Sequence, residues 1–230
     1  MTFDRLAPHY DWLEAVIAGR RLEQVRAAWL DDLEGRQRIL SVGEGHGRFA
    51  AACARRNPAA ELTCVEASRR MLWRAHTRAA RSGGRVRWHL ADVRTWQPTG
   101  TYDAIVTCFF LDCFPPQALA EIIGRLAAWA TPDALWLVTD FAVPSRGPAR
   151  LRARAVHALM YAFFRRVVGL PARRLTPPDA LLQTQGFTLV GRRTSEWGLL
   201  HADLWRRTGA GQGGDGAGPT PRLPSRGGRP

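Results

Sequence analysis

Lysine is missing from this chain of 230 residues, so all 33 of its basic residues are arginine, and they exceed the acidic residues by 13. A positive charge of this size is typical of proteins that bind phosphate backbones. The arginines are scattered along the sequence, however, and they accompany abundant Ala, Gly and Pro, as in proteins encoded by GC-rich genomes. We therefore interpret the charge as a solvated surface and expect no nucleic-acid partner.

Cysteine is scarce, and the four residues present lie at positions 53, 64, 108 and 113. They lack the close paired spacing of zinc or redox sites, so the sequence predicts reduced thiols and no metal centre. Cys64 and Cys108 fall within apolar runs and are expected to pack as small core residues.

Long apolar runs are also missing from the sequence. The longest strongly apolar stretch, residues 158–164, is far shorter than the roughly 20 residues that a membrane span requires. The first residues show no signal-peptide core. We therefore expect a soluble, cytoplasmic protein. Residues 208–230 are rich in Gly and Pro and contain Leu223 as their one large apolar residue, which predicts a disordered tail after a single domain at 1–207.

One glycine-rich segment carries the most information. An apolar run at 39–42 leads into glycines at positions 43, 45 and 47, and a helix-like segment follows. The next apolar run ends in the carboxylate of Glu66. A strand, a glycine turn, a helix and a strand that ends in an acid predict a nucleotide-sized pocket. Glycine lets the backbone approach a ligand closely, and Glu66 can accept hydrogen bonds from two ribose hydroxyls.

The glycine spacing argues against a dinucleotide, because Arg48 stands where the third glycine of that motif belongs. The spacing G-x-G-x-G instead resembles the first motif of the class I S-adenosylmethionine (SAM)-dependent methyltransferases. That family usually has an acid before the glycines, where this chain has Ser41, and Glu44 lies between the first two glycines. Glu44 either meets the ammonium group of the SAM methionine or points to solvent.

Later segments extend the resemblance over residues 1–207. Strand-like segments at 85–90, 102–108 and 134–141 match the third to fifth strands of the family, and segments at 187–194 and 199–205 match its final hairpin. The resemblance implies an α/β, Rossmann-like, mostly parallel sheet of seven strands in the order 3-2-1-4-5-7-6, with an antiparallel last strand and helices on both faces.

The resemblance also implies SAM as the cofactor. In the family, an acid after the third strand faces the adenine amino group, which assigns that role to Asp92. The residues expected to bind the cofactor are Tyr10, Gly43, Glu44, Gly45, Gly47, Glu66, Ala67, Asp92, Val93 and Phe109.

Two segments outside this core bear on the methyl acceptor. The N-terminal residues 3–13 resemble the start of the ubiquinone and menaquinone biosynthesis methyltransferases, which implies a helical lid over 1–35 with Tyr10 above the cofactor; ordinary helix packing is the alternative. An insertion at 146–170 contains a predicted helix over 150–168, apolar nearly all round in its middle and flanked by arginines. This helix either covers an acceptor pocket, lies on a membrane surface as a peripheral contact, or simply caps the sheet.

The sequence leaves the catalytic base open. Asp112, His9 and His157 are the candidates, and His201 is a weaker one. Asp112 has an alternative role as the N-cap of a helix that begins near Pro115. We expect methyl transfer to a small, apolar or aromatic acceptor; the alternatives are an RNA or protein methyltransferase and a SAM-fold binding protein without turnover.

Overall fold

The computed structural model of the protein describes residues 20–208. The strands in this part of the chain are β1 (Arg38–Val42), β2 (Glu61–Glu66), β3 (Arg85–Leu90), β4 (Tyr102–Cys108), β5 (Ala130–Phe141), β6 (Phe187–Ser195) and β7 (Leu200–Arg207). The α-helices are α1 (Arg20–Arg26), α2 (Arg48–Arg56), α3 (Arg69–Ala79), α4 (Pro116–Ala128), α5 (Gly147–Val168) and α6 (Asp179–Thr184). The first part of the expected lid and the expected tail at 209–230 lie outside the described residues.

The strands form one sheet in the order β3-β2-β1-β4-β5-β7-β6, which confirms the predicted fold. β1 pairs in parallel with β2 and β4, and β4 pairs in parallel with β5. β7 enters antiparallel to both β5 and β6. The order reverses at β1, where one crossover leads to β2 and a later one to β4. In open α/β sheets, ligands bind beyond the carboxyl ends of the strands at such a switch point.

The apolar sequence of the central strands follows from cover on both faces of the sheet. Alternate residues of a strand face opposite sides, and neighbouring Ile39 and Leu40 are both fully buried. Ile39 packs in a cluster with Phe49 of α2, whereas Leu40 packs in a cluster with Ile122 of α4. Helices therefore cover both faces, and the strand ends remain as the place for a site.

A third apolar cluster stands at the carboxyl end of the sheet. It joins Leu22 of α1, Phe141 at the end of β5, Tyr161 of α5 and Leu200 at the start of β7. These members of the cluster lie on α1, on α5 and at the strand ends that face them. The cluster therefore forms a wall beyond the strand ends, outside the core of the sheet.

The predicted helix in the insertion is α5. Its apolar middle is not buried all round, since Leu159 is 75% exposed while Met160 and Tyr161 are buried. The buried side chains recur at helical spacing on the single face that meets the sheet end. Within residues 20–208, no helix combines the length and the hydropathy needed to cross a membrane.

Candidate functional site

The glycine turn after β1 forms one end of a deep cleft. Gly43, Gly45 and Gly47 all have left-handed backbones, with φ values of 68°, 64° and 82°. A Cβ atom at Gly43 would come within 2.2 Å of the Phe110 ring, and one at Gly47 within 2.5 Å of Ala75 Cα. A Cβ at Gly45 would meet nothing within 4 Å. Gly43 and Gly47 thus serve close packing, whereas Gly45 leaves an open cradle in the cleft.

Glu66 holds the turn in place from the end of β2. Its Oε2 accepts a 2.9 Å hydrogen bond from the Gly45 amide, and its Oε1 accepts a 2.8 Å bond from the Ser68 amide. The side chain is buried and lines the cleft together with Ala67. A carboxylate offers about four lone-pair sites, and each oxygen of Glu66 accepts from one backbone amide at the edge of the cleft.

Glu44 does not point to solvent, so that alternative is wrong. Its carboxylate turns inward, where Oε2 accepts a 2.5 Å hydrogen bond from the Ser41 hydroxyl and Oε1 accepts a 2.8 Å bond from the Ala50 amide in the first turn of α2. Burial raises the pKa of Glu44 to about 7, even though both hydrogen bonds and the nearby Arg26 guanidinium favour the charged form. Glu44 still lines the cleft, beside the side chain at position 41.

Asp92 and Val93 lie along the cleft after β3, as predicted. The Asp92 carboxylate is engaged by Arg94: Nε lies 3.0 Å from both carboxylate oxygens and Nη2 lies 2.5 Å from Oδ2. These hydrogen bonds hold the pKa of Asp92 below its usual range. Arg94 therefore occupies much of the acceptor capacity that was expected to face an adenine amino group.

Phe109 begins the opposite wall of the cleft directly after β4. Its φ of 52° is unusual for a bulky side chain and costs about 1–3 kcal/mol in typical cases. The ring packs 5.2 Å from the Phe141 ring, and the Arg26 guanidinium carbon lies 4.9 Å above its centre. Strain of this kind persists where surrounding contacts fix it, and it often marks a functional site.

The rest of the wall is apolar and comes from several elements. Four of its members lie far from the motifs, on α1 and α5, and helical periodicity was the only signal for them in the sequence. The lining side chains at this end are Leu22, Phe109, Phe110, Phe114, Phe141, Met160, Tyr161 and Phe164. The cleft therefore has a polar end at the glycine turn and an apolar end under α5.

Of the candidate bases that fall within residues 20–208, Asp112 is the one that lines the cleft. Its alternative role is wrong, since Pro115 occupies the N-cap of α4 and no side chain caps that helix. The Asp112 amide instead donates a 3.1 Å hydrogen bond to Oδ2 of Asp140 near the end of β5. Asp140 was not predicted, although an acid at the end of a buried strand was a signal of the same kind as Glu66.

The histidine candidates stand further back. His157 is buried behind the rings of Phe141 and Tyr161, and burial lowers its pKa. His201 Nδ1 lies 3.0 Å from Oδ2 of the buried Asp203. His9 and Tyr10 lie outside the described residues, and Gly47 caps the start of α2 rather than lining the cleft.

The four cysteines are unpaired thiols, as expected. Cys108 differs from the prediction, because it is only half-buried and lines the cleft at the end of β4. Burial, its largest influence, raises the pKa of Cys108 to about 12, so the thiol stays protonated. Within residues 20–208, no group of three or more His, Cys, Asp or Glu side chains is placed to hold a metal ion.

Comparison with known proteins covers the part of the chain that forms the polar end of this cleft. Residues 39–133, which contain the glycine turn, Glu66 and Asp92, match a family model described as "Methyltransferase domain". A relative, trans-aconitate 2-methyltransferase from Streptomyces avermitilis, is 37% identical over 94 residues, which is 40% of this chain and 33% of that protein. The chain therefore spans about a third of the length of this curated relative.

Solved structures share the whole fold. Mitomycin 7-O-methyltransferase has a TM-score of 0.67 at 19% identity, over 90% of this chain and 61% of that one. Magnesium protoporphyrin IX methyltransferase from Synechocystis, with bound S-adenosylhomocysteine (SAH), has a TM-score of 0.59 at 18% identity, over 82% of each chain. At such identities the likeness establishes the fold and says nothing about the acceptor.

Proposed function

We propose that this chain, which belongs to the class I SAM-dependent methyltransferases, transfers a methyl group from SAM to a small, apolar acceptor. One observation carries the proposal: a single cleft joins a glycine turn and a buried acid at its polar end to a wall of aromatic rings at the other. SAM supplies a methyl group that its sulfonium already activates for displacement. The protein needs only to bind and orient the two partners and to exclude water.

The polar end fits the cofactor of the family. The open cradle at Gly45 accepts a ligand where any side chain would intrude. Glu66 is fixed by two backbone amides and lines the cleft, where a carboxylate suits the hydroxyls of a ribose. We assign the methionine end of SAM to the glycine turn and to Glu44, and the adenine to the stretch that contains Asp92 and Val93.

The apolar end favours a small acceptor over RNA or protein. The wall of rings ends against Met160, Tyr161 and Phe164 on the inner face of α5, so the chamber is closed by the body of the protein on that side. Rings and aliphatic side chains make up most of that wall, and Arg26 stacks on the Phe109 ring within it. An aromatic or aliphatic acceptor gains from burial there at roughly 25 cal/mol per Å² of apolar surface.

Calorimetric titration with SAH tests the cofactor half. We expect Glu66→Gln to weaken SAH binding at least tenfold, because the loss of a hydrogen bond to a charged acceptor typically costs about 1.5–3 kcal/mol. Glu61→Gln is the matched control, since Glu61 begins the same strand at the end remote from the cleft, and it should bind as the wild type does. A wild-type protein that does not bind SAH would overturn the proposed function.

A further inference from the structure

Two buried acids meet behind the apolar end of the cleft. Asp112 lies in the 3₁₀ turn Leu111–Cys113 after β4, and Asp140 lies near the end of the neighbouring strand β5. Their exposed fractions are 7% and 2%. The Asp112 amide donates a hydrogen bond to Asp140, and each carboxyl group shifts the pKa of the other. Two carboxyl groups in one buried site do not both ionise readily, so one of them is expected to keep a proton near neutral pH.

Geometry places that proton on Asp140, which is the more deeply buried member of the pair and does not line the cleft. Burial raises the pKa of Asp140 well above its ordinary value, and the neighbouring charge on Asp112 raises it further. Burial also raises the pKa of Asp112, to about 6, while the Cys113 thiol, which donates to Oδ1, favours the ionised form. We therefore place the negative charge near neutral pH on Asp112, the member of the pair that lines the cleft.

The groups packed around the pair come from several elements. Cys108 and Cys113 have thiols that burial keeps protonated. The Tyr161 hydroxyl on α5 donates a 3.1 Å hydrogen bond to the Asp112 carbonyl, and burial raises the pKa of that phenol. His201 pairs with Asp140 in the β5–β7 register and lies against Asp203, and a positive charge on it favours the ionised form of Asp112. Arg26 of α1 lines the same cleft, with its guanidinium carbon 4.9 Å above the centre of the Phe109 ring.

We propose that Asp112 is the general base of the methyl transfer, that Asp140 is the positioning residue that holds its charge toward the cleft, and that the acceptor therefore presents a hydroxyl group on an apolar ring. This inference rests on the proposed function. The acceptor hydroxyl gives its proton to Asp112 as its oxygen bonds to the methyl carbon, and the electron pair of the broken sulfur–carbon bond returns to sulfur. The sulfonium charge and the carboxylate charge disappear together, so the step is balanced.

The need for a base distinguishes hydroxyl acceptors from amines and carboxylic acids. A neutral amine attacks with its lone pair and loses a proton afterwards, and a carboxylic acid is already ionised at neutral pH. A hydroxyl group becomes a good nucleophile only as its proton leaves, so a positioned base speeds that reaction by about 10²–10⁴-fold. A single carboxylate at the apolar end suits an acceptor that brings a hydroxyl to it.

The full chain is tested with SAM and three matched probes, a naphthol, a naphthylamine and a naphthoic acid, with product detection by mass spectrometry. We expect methylation of the naphthol and at least a hundredfold loss of kcat in Asp112→Asn, with SAH affinity unchanged. Asp32→Asn, on an exposed residue, is the control and should keep wild-type activity. Transfer only to the amine or the acid, or SAH binding without transfer to any probe, would overturn the inference and leave cofactor binding intact.

The role of Asp140 is tested by the pH profile and by infrared spectroscopy. The wild-type rate should rise with pH through about 6. Asp140→Ala removes the proton donor and should move that midpoint to higher pH, whereas Asp140→Asn retains a donor and should restore it. The wild type at neutral pH should show the infrared carbonyl band of a buried protonated carboxyl group that Asp140→Asn lacks. A wild-type spectrum without this band contradicts the pairing, whatever the variants do.

Discussion

The Ser41 hydroxyl donates a 2.5 Å hydrogen bond to the carboxylate of Glu44. Ser41 stands where the family that the sequence resembles usually has an acid. In this chain an acid, Glu44, lies within the glycine turn instead. The hydrogen bond brings its carboxylate back beside position 41, while the Ala50 amide ties it to the start of α2. One carboxylate therefore fixes the turn, satisfies a free amide at the helix N-terminus and faces the cleft.

The burial of Glu44 predicts a stability that depends on pH. Its pKa is about 7 in the folded protein and 4.5 in the reference state, so folding takes up a proton between these values. Stability attributable to Glu44 therefore falls as pH rises from about 4.5 to 7 and stays low above that. Glu44→Gln, which has no charge to bury, should exceed the wild type by roughly 2–3 kcal/mol at pH 8 and match it near pH 4.5.

Urea unfolding of both proteins at pH 5 and pH 8 measures this difference. The exposed Glu34 provides the control, because Glu34→Gln should change stability by less than about 0.5 kcal/mol at either pH. An advantage of Glu44→Gln that does not change with pH would show that the buried charge is not its source.

The same residue predicts how cofactor affinity depends on pH. If Glu44 receives the ammonium group of the methionine moiety, binding requires the ionised carboxylate, so SAH affinity of the wild type should rise between pH 6 and pH 8. Glu44→Gln should bind about tenfold more weakly at pH 8, since a hydrogen bond to a charged group is worth about 1.5–3 kcal/mol, and its affinity should be independent of pH over this range. Calorimetry at three pH values decides the matter, and equal pH profiles would restrict Glu44 to the support of the turn.

Much of the fold could be predicted because strand order and cofactor motif are local patterns. An apolar strand such as residues 39–42, a turn of glycines and an acid at the next strand end are each visible within a few residues. The sheet confirms the order of all seven strands. The direction of a short acidic side chain could not be predicted in this way, because Glu44 is drawn inward by Ser41 and Ala50, which become its neighbours only once the turn has formed.

The acceptor end was harder to predict for a related reason. Asp112 and Asp140 are far apart in the sequence and meet because β4 and β5 are parallel neighbours whose ends coincide. Each residue alone had a simpler explanation, as a cap or as a strand terminus. Met160 and Tyr161 are assigned to the wall by the packing of α5, which no motif encodes.

The hairpin of β6 and β7 contains a buried ion pair, and its removal should lower the stability of the protein by a predictable amount. Arg192 Nε and Nη2 donate to the two carboxylate oxygens of Asp203 at 2.7 and 2.6 Å, and Asp203 is fully buried. Burial opposes the charge on Asp203, yet hydrogen bonds from Arg192 and His201 outweigh it and keep the pKa of that carboxyl below its ordinary value. Removal of the arginine takes away these two hydrogen bonds and leaves this buried acid in contact with His201.

We therefore expect Arg192→Ala to lose about 2 kcal/mol or more of stability at pH 7, less than a fully buried pair because the arginine is partly exposed. A carboxyl group whose pKa is lowered by folding stabilises the folded protein at pH values above its pKa in the unfolded state. This contribution is lost as pH falls. The stability difference between Arg192→Ala and the wild type should therefore shrink on acidification. Arg206→Ala, on an exposed residue of β7, should leave the unfolding midpoint nearly unchanged. Equal midpoints for the two variants would count against the ion pair.

Substitution of Gly45 can distinguish an effect on ligand binding from an effect on protein stability. Gly45 and Gly35 have left-handed φ values of 64° and 82°, and a Cβ atom would meet nothing within 4 Å at either position. An alanine at either position should therefore lower the free energy of unfolding by a similar amount, about 1–2 kcal/mol, through backbone strain alone. Only Gly45 lines the cleft, so Gly45→Ala should also abolish measurable SAH binding, whereas Gly35→Ala should bind SAH with wild-type affinity. Thermal unfolding and calorimetry on both variants test the pair, and wild-type SAH affinity in Gly45→Ala would remove the glycine turn from the cofactor site.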